Sequence, residues 1–164
     1  MAKVIYKLED DISTDIIYPG RYMATVLPSE TPQFAFVDID ELNTMLNEGN
    51  PSEERIIVAG DNFGCGSSRE QAVSTLKGHE VIIIAKHFAR IFLQNSINLG
   101  LQTVICPDIE AEIGDEIEVA DSKVINHTQG KEFAIKALPA SKKAVVDAGG
   151  LIPYTRKILV DGIS

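Results

Sequence analysis

The sequence contains no tryptophan, only two cysteines and only three histidines among its 164 residues. Cys65 and Cys106 cannot build a disulfide framework. With the scattered histidines they cannot build a closed zinc site at metal-ligand spacing either. Any metal at work must arrive with another chain or with the substrate. Long apolar runs are also missing. The longest, "VIIIA" at 81–85, falls far short of the roughly 20 residues that cross a bilayer. The opening "MAKVIYKLEDD" meets charge at once and has no signal-peptide core. A soluble, cytoplasmic protein is expected. Positive charge is scarce: 15 Lys and Arg stand against 24 Asp and Glu, for a net charge of -9 and a pI near 4.8. That counts against nucleic acid or an anionic membrane as partner. A local basic pocket for a small acid remains compatible with it.

What is present is ordinary for a globular chain: 45% hydrophobic and 24% charged residues, enough for a core. The length suits one domain, 1–164, with no internal repeat and no linker. Residues 3–8 read as a strand. Residues 10–33 form a long stretch rich in turn residues, the kind that usually carries function. Apolar spacing predicts a helix over 37–49. Next come a buried strand "RIIVAG" (55–60), a helix at 67–78 with a serine N-cap and Gly78 as its stop, and a strand "VIIIA". A helix at 87–100 and a strand at 101–107 complete the series. Strand–helix–strand–helix–strand within about fifty residues is a right-handed parallel unit. Residues 111–138 alternate apolar and polar around turn signals and predict antiparallel strands. Residues 141–157 predict a helix to Gly149 and a further short helical turn. The fold class is α/β: a small parallel sheet with helices plus a β-rich antiparallel cap.

The chemistry concentrates in "GDNFGCGSSREQA", Gly60 to Ala72. It sits at the carboxyl end of a buried strand and opens a helix, where open α/β sheets place ligands. Gly60, Gly64 and Gly66 allow tight turning and close approach. Arg69 offers a fork shaped for a carboxylate. A P-loop needs a lysine that is absent. The dinucleotide fingerprint needs glycine where Arg69 stands. The hydrolase elbow needs glycine where Glu70 stands. Two readings remain from the residues alone: a carboxylate-sized anion site with two hydroxyls, or a serine-capped helix after a glycine turn.

The same segment resembles the signature of the aconitase superfamily's swivelling β/β/α domain. More closely, it is similar to the small subunit of isopropylmalate dehydratase and homoaconitase. "DDISTDIIYPGRY" (10–22), "IIIAKHFARIFLQNSINLGL" (82–101) and "AGGLIPY" (148–154) resemble further family segments in the right order, so the likeness covers nearly the whole chain. It implies a hydro-lyase that removes water from a 2-hydroxy di- or tricarboxylate, using a [4Fe-4S] cluster held by a large partner subunit. It implies that Ser67 is the general base, that Ser68 hydrogen-bonds the substrate beside Gly66, and that Arg69 binds a substrate carboxylate. Cys65 is then a bystander. Arg90, Asn95 and Asn98 would hold their helix against the active-site loop, and Thr14-Asp15 would lie near it.

In the family, substrate choice follows the loop after the Pro-Gly turn, here Tyr22, Met23, Ala24 and Thr25. Homoaconitase-type proteins carry an arginine where Ala24 stands. Without that charge, a distal carboxylate would be left unpaired in a closed site, which is costly. The resemblance therefore implies 3-isopropylmalate first, as in leucine biosynthesis, and 2,3-dimethylmalate or another alkylmalate second. A homoaconitase subunit is the weaker alternative, and Arg21 bears on it as a replacement cation. A non-catalytic carboxylate-binding module is the alternative of a different class. Isolated chains could form homo-oligomers.

Overall fold

The computed structural model describes residues 1–160. Strand β1 (Ala2–Lys7) is followed by a stretch that holds a one-turn helix, α1 (Thr14–Ile17), and two 3-10 turns at Gly20–Tyr22 and Thr31–Phe34. Helix α2 (Asp40–Glu48) leads to β2 (Arg55–Ala59), α3 (Glu70–Lys77), β3 (Ile82–Ala85), α4 (Arg90–Leu99) and β4 (Thr103–Ile105). Three strands, β5 (Glu116–Val119), β6 (Lys123–Asn126) and β7 (Lys131–Ala134), precede helices α5 (Ala140–Asp147) and α6 (Leu151–Val160).

The strands form one sheet in the order β4-β3-β2-β1-β5-β6-β7. Pairings among β1 to β4 are parallel, and those from β1 through β7 are antiparallel. The parallel strands step in one direction, so right-handed crossovers put α2, α3 and α4 on the same face. A single antiparallel bridge from Ile105 to Lys136, with the Lys136 amide 2.8 Å from the Ile105 carbonyl, joins the two edges. The sheet thus curls into a barrel-like closure. Its central strands β2 and β3 are buried on both faces and read as continuous apolar runs. Ile56, Val58 and Ile84 point inward to a core shared with Ile117 and Val124. Ile57, Ala59 and Ile83 point outward under the helices, to a core shared with Phe63, Leu76 and Phe92.

The expected β-rich antiparallel part is present, and β5 pairs with β1, so it extends the same sheet. Two sequence expectations need correction. The expected short turn after Gly149 is a ten-residue helix, α6; its proline, Pro153, sits in the first turn, where no intrahelical donor is lost. The serine N-cap on α3 is absent: Arg69 occupies the cap position without a side-chain cap bond, and Ser67 and Ser68 stand ahead of the helix. His79 is half-buried, and its Nε2 donates to the Pro32 carbonyl at 2.8 Å. Burial pushes its pKa below the ordinary value.

Candidate active site

The Gly60–Arg69 loop leaves the end of β2 and is stitched from two sides. On one side the 10–14 segment runs beside it. The Gly64 amide donates to the Ile12 carbonyl at 2.7 Å, and the Thr14 amide to the Cys65 carbonyl at 2.8 Å. The buried Thr14 hydroxyl donates to the Ser67 carbonyl at 2.7 Å. Asp10 accepts from the Asp61 amide and Asp11 from the Asn62 side chain, so these acids are loop fasteners. On the other side Phe63 exchanges backbone bonds with the 87–89 segment, and its ring meets Phe88 and Phe92 edge-on at 5.8 and 5.3 Å.

Two glycines are required here, for different reasons. Gly64 has φ +85°, and a Cβ on it would lie 2.2 Å from the Phe92 ring. Gly66 has φ +92°, and a Cβ on it would meet Ser13 and Thr14 at 3.7 Å, an ordinary contact, so only its dihedral demands glycine.

The loop presents Ser67 and Ser68 exposed, with Arg69 half-buried behind them. A hollow of about 210 Å³ is lined by Gly66, Ser67, Ser68 and Arg69 from the loop and by Arg90 and Asn95 from α4. Gly64 and Phe92 also line it. Larger hollows, of about 220, 390 and 800 Å³, lie elsewhere, and their linings contain no cysteine, histidine or arginine. Of these four, the smallest brings serine hydroxyls together with arginine.

Arg69 is fixed by Asp15. Its Nη1 donates to Asp15 Oδ1 at 2.7 Å and to the Tyr18 carbonyl at 3.2 Å. The same carboxylate oxygen accepts from the Gly20 amide at 2.8 Å. The Arg69 hydrogen bond, followed by the Gly20 amide, holds the Asp15 carboxyl below the usual carboxylate range. Asp15 is thus the immediate partner of Arg69, a closer role than general proximity to the loop. Nη2 and Nε of Arg69 make no hydrogen bond among the described residues and remain free for a ligand.

The structure brings together Gly66, Ser67, Ser68 and Arg69. It leaves Tyr22, Met23, Ala24 and Thr25 outside the hollow's lining. They adjoin it through α3, where Gln71 Nε2 donates to the Met23 carbonyl at 3.4 Å. Met23 and Ala24 are exposed, and Tyr22 stacks on Phe34 at 4.1 Å. The fully buried Tyr18 directs its hydroxyl to the carbonyls of Tyr22 (3.0 Å) and Thr25 (3.2 Å), holding this loop in place. Arg21 is not free to replace the missing cation. Its two amino groups both bond the Asp38 carboxylate, and its guanidinium lies 4.8 Å from the centre of the Tyr22 ring.

Arg90 and Asn95 do not hold their helix against the loop as expected, because neither side chain makes a hydrogen bond to it. The packing of Phe92 against Gly64 does that work. Sequence reasoning saw both residues but missed their place in the hollow. Glu70 makes no side-chain hydrogen bond or ion pair with Arg69 and stands exposed in the first turn of α3. The residues do not fit an iron–sulfur cluster. Cys106 is buried inside the barrel with its pKa pushed up to about 11 by burial, while Cys65 is half-buried in the loop. No group of three His, Cys, Asp or Glu side chains that could hold a metal occurs among the described residues.

Residues 12–108 match the family described as Aconitase C-terminal domain. Among curated relatives, the 3-isopropylmalate dehydratase small subunit of Methanosarcina mazei is 42% identical over 158 residues, covering 94% of this chain and 95% of that protein. The 2,3-dimethylmalate dehydratase small subunit of Eubacterium barkeri is also 42% identical, over 156 residues, covering 92% of this chain and 93% of that protein. Among solved structures, a 3-isopropylmalate dehydratase from Methanocaldococcus jannaschii superposes with a TM-score of 0.86 at 35% identity, covering 98% of this chain and 95% of that one.

Proposed function

The chain belongs to the aconitase C-terminal domain family, and from that premise we propose that it is the small subunit of a hydro-lyase acting on an alkyl-substituted 2-hydroxy dicarboxylate. 3-Isopropylmalate is the first substrate. The observation that carries this reading is the open hollow in which two exposed serine hydroxyls stand beside a fixed guanidinium. A relative at the same identity that bears the dimethylmalate name supports 2,3-dimethylmalate as the second reading. The missing loop cation and the engagement of Arg21 by Asp38 both disfavour a substrate with a third carboxylate. Residues 1–164 are taken as one swivelling domain, a reading supported by the unbroken sheet from β4 to β7; residues 161–164 lie outside the described residues.

The roles follow from chemistry. Ser67 takes the carbon-bound proton. A serine hydroxyl is a weak base, so its alkoxide needs positive charge and N–H dipoles close by. Arg69 and the uncapped start of α3 supply them. Arg69 receives one substrate carboxylate through its free nitrogens, and Ser68 hydrogen-bonds the substrate. A [4Fe-4S] cluster, which in this family acts as a Lewis acid on the hydroxyl, is carried by the large subunit. The exposed apolar side chains of Leu151, Ile152, Leu159 and Val160 on α6 support a chain that works within an assembly.

The test is turnover by the complex of this chain with its large subunit, assayed anaerobically on isopropylmalate, dimethylmalate, citrate and homocitrate. An alkylmalate is expected to be preferred, and preference for homocitrate overturns the substrate reading. Ser67→Ala is expected to lower kcat by about two orders of magnitude or more while assembly survives. Near-normal turnover removes Ser67 from the base role.

A further inference from the structure

Ser67 has little of its own to hold it. The residue is exposed, and it follows Gly66, which has φ +92° and no side chain to stiffen the turn. The only hydrogen bond that Ser67 makes among the described residues comes from Thr14, whose Oγ1 donates to the Ser67 carbonyl at 2.7 Å. Thr14 is 3% exposed, and its amide donates to the Cys65 carbonyl at 2.8 Å. Both of its donors are therefore spent on this loop, one on each side of Gly66. No role in the function proposed above accounts for Thr14.

The other end of this tie is anchored. Thr14 opens α1, and the Ser13 hydroxyl caps that start by accepting from the Ile16 amide. Ile17 and Tyr18, at the end of the turn, are fully buried, and the Phe36 amide donates to the Ile17 carbonyl at 2.8 Å. The residue after Thr14 is Asp15, which holds Arg69. One helical turn thus grips the backbone of the serine with one residue and the guanidinium with the next, so α1 sets the two groups relative to each other. A reacting group displaced by about 1 Å costs on the order of a hundredfold in rate. We propose that Thr14 is the positioning residue for Ser67: its hydroxyl holds the Ser67 carbonyl and so keeps the serine within reach of the carbon-bound proton. This rests on the base role given to Ser67 above.

The test reads the chemical step in the complex with the large subunit. Thr14→Val keeps the shape of the side chain and removes its hydroxyl. It is expected to lower kcat on 3-isopropylmalate about ten- to a hundredfold, with KM and assembly affinity little changed. Substrate deuterated at the carbon that loses its proton is expected to show a larger primary isotope effect in Thr14→Val than in wild type, because proton transfer is the step that slows. Thr14→Ser, which keeps the hydroxyl, is expected to recover most of the loss. In a Ser67→Ala background Thr14→Val is expected to remove nothing further, since the two residues act as one unit. Amide NMR of the free chain checks the fold: shifts are expected around 65–69, with β5 to β7 unmoved. If the buried valine prevents folding, Thr14→Ala, which leaves room for a water on the Ser67 carbonyl, carries the same comparisons.

Four results each overturn the assignment of Thr14 and leave the base role of Ser67 standing: wild-type kcat in Thr14→Val, a loss confined to KM, stability or assembly, equal losses in Thr14→Val and Thr14→Ser, or a further loss on top of Ser67→Ala. Near-normal turnover by Ser67→Ala overturns the base role itself, and the assignment of Thr14 falls with it.

Discussion

Arg69 does three things with one planar group: it bonds a carboxylate, a backbone carbonyl and, in the proposed function, the substrate. A lysine ammonium is a point charge on a flexible stem and cannot reproduce that fork. Arg69→Lys is expected to raise KM about tenfold or more, with a smaller fall in kcat, in steady-state kinetics of the assembled enzyme. Ser67, Ser68 and Arg69 were legible because they are adjacent in sequence within a glycine-rich turn. The role of Asp15 was legible only in outline, because its partner Arg69 lies 54 positions away and no local pattern reports that distance. The serine cap failed for the opposite reason. Local propensity favours serine at a helix start, but the chain keeps both hydroxyls outside the helix and exposed to the hollow.

Between β2 and α3 the loop relies on two left-handed glycines whose neighbours differ. Alanine at Gly66 meets only dihedral strain, worth about 1–2 kcal/mol. Alanine at Gly64 meets the same strain and also the Phe92 ring, which cannot move without disturbing Phe63 and Phe88. Gly64→Ala is therefore expected to cost more than Gly66→Ala, by about 1–3 kcal/mol in urea unfolding. Equal costs would show that the Phe92 contact is slack. Buried strands such as β2 and β3 read clearly as apolar runs bounded by glycine and charge. The alternation in β5 to β7 revealed strands but not their partners. Pairing of β5 with β1, and the closing bridge of Ile105 to Lys136, join residues far apart in the chain. Only a short helical turn was expected after Gly149, yet Pro153 sits in the first turn of α6, where it removes no intrahelical donor.

At the scale of the whole molecule, a closed sheet carries helices on one face, and the loop after β2 delivers hydroxyls and guanidinium to an open hollow. The exposed Ser67 and Ser68 stand outside the barrel. No helix among the described residues is long and apolar enough to cross a membrane. That this chain completes a site whose cluster belongs to a second chain is tested most directly by reconstitution. Each chain is purified anaerobically, and dehydration of 3-isopropylmalate is followed for this chain alone, for the cluster-bearing chain alone, and for the two mixed. Activity is expected only in the mixture, saturating as this chain is added. Full activity of the cluster-bearing chain by itself, or a mixture that stays inactive with its cluster intact, would contradict it.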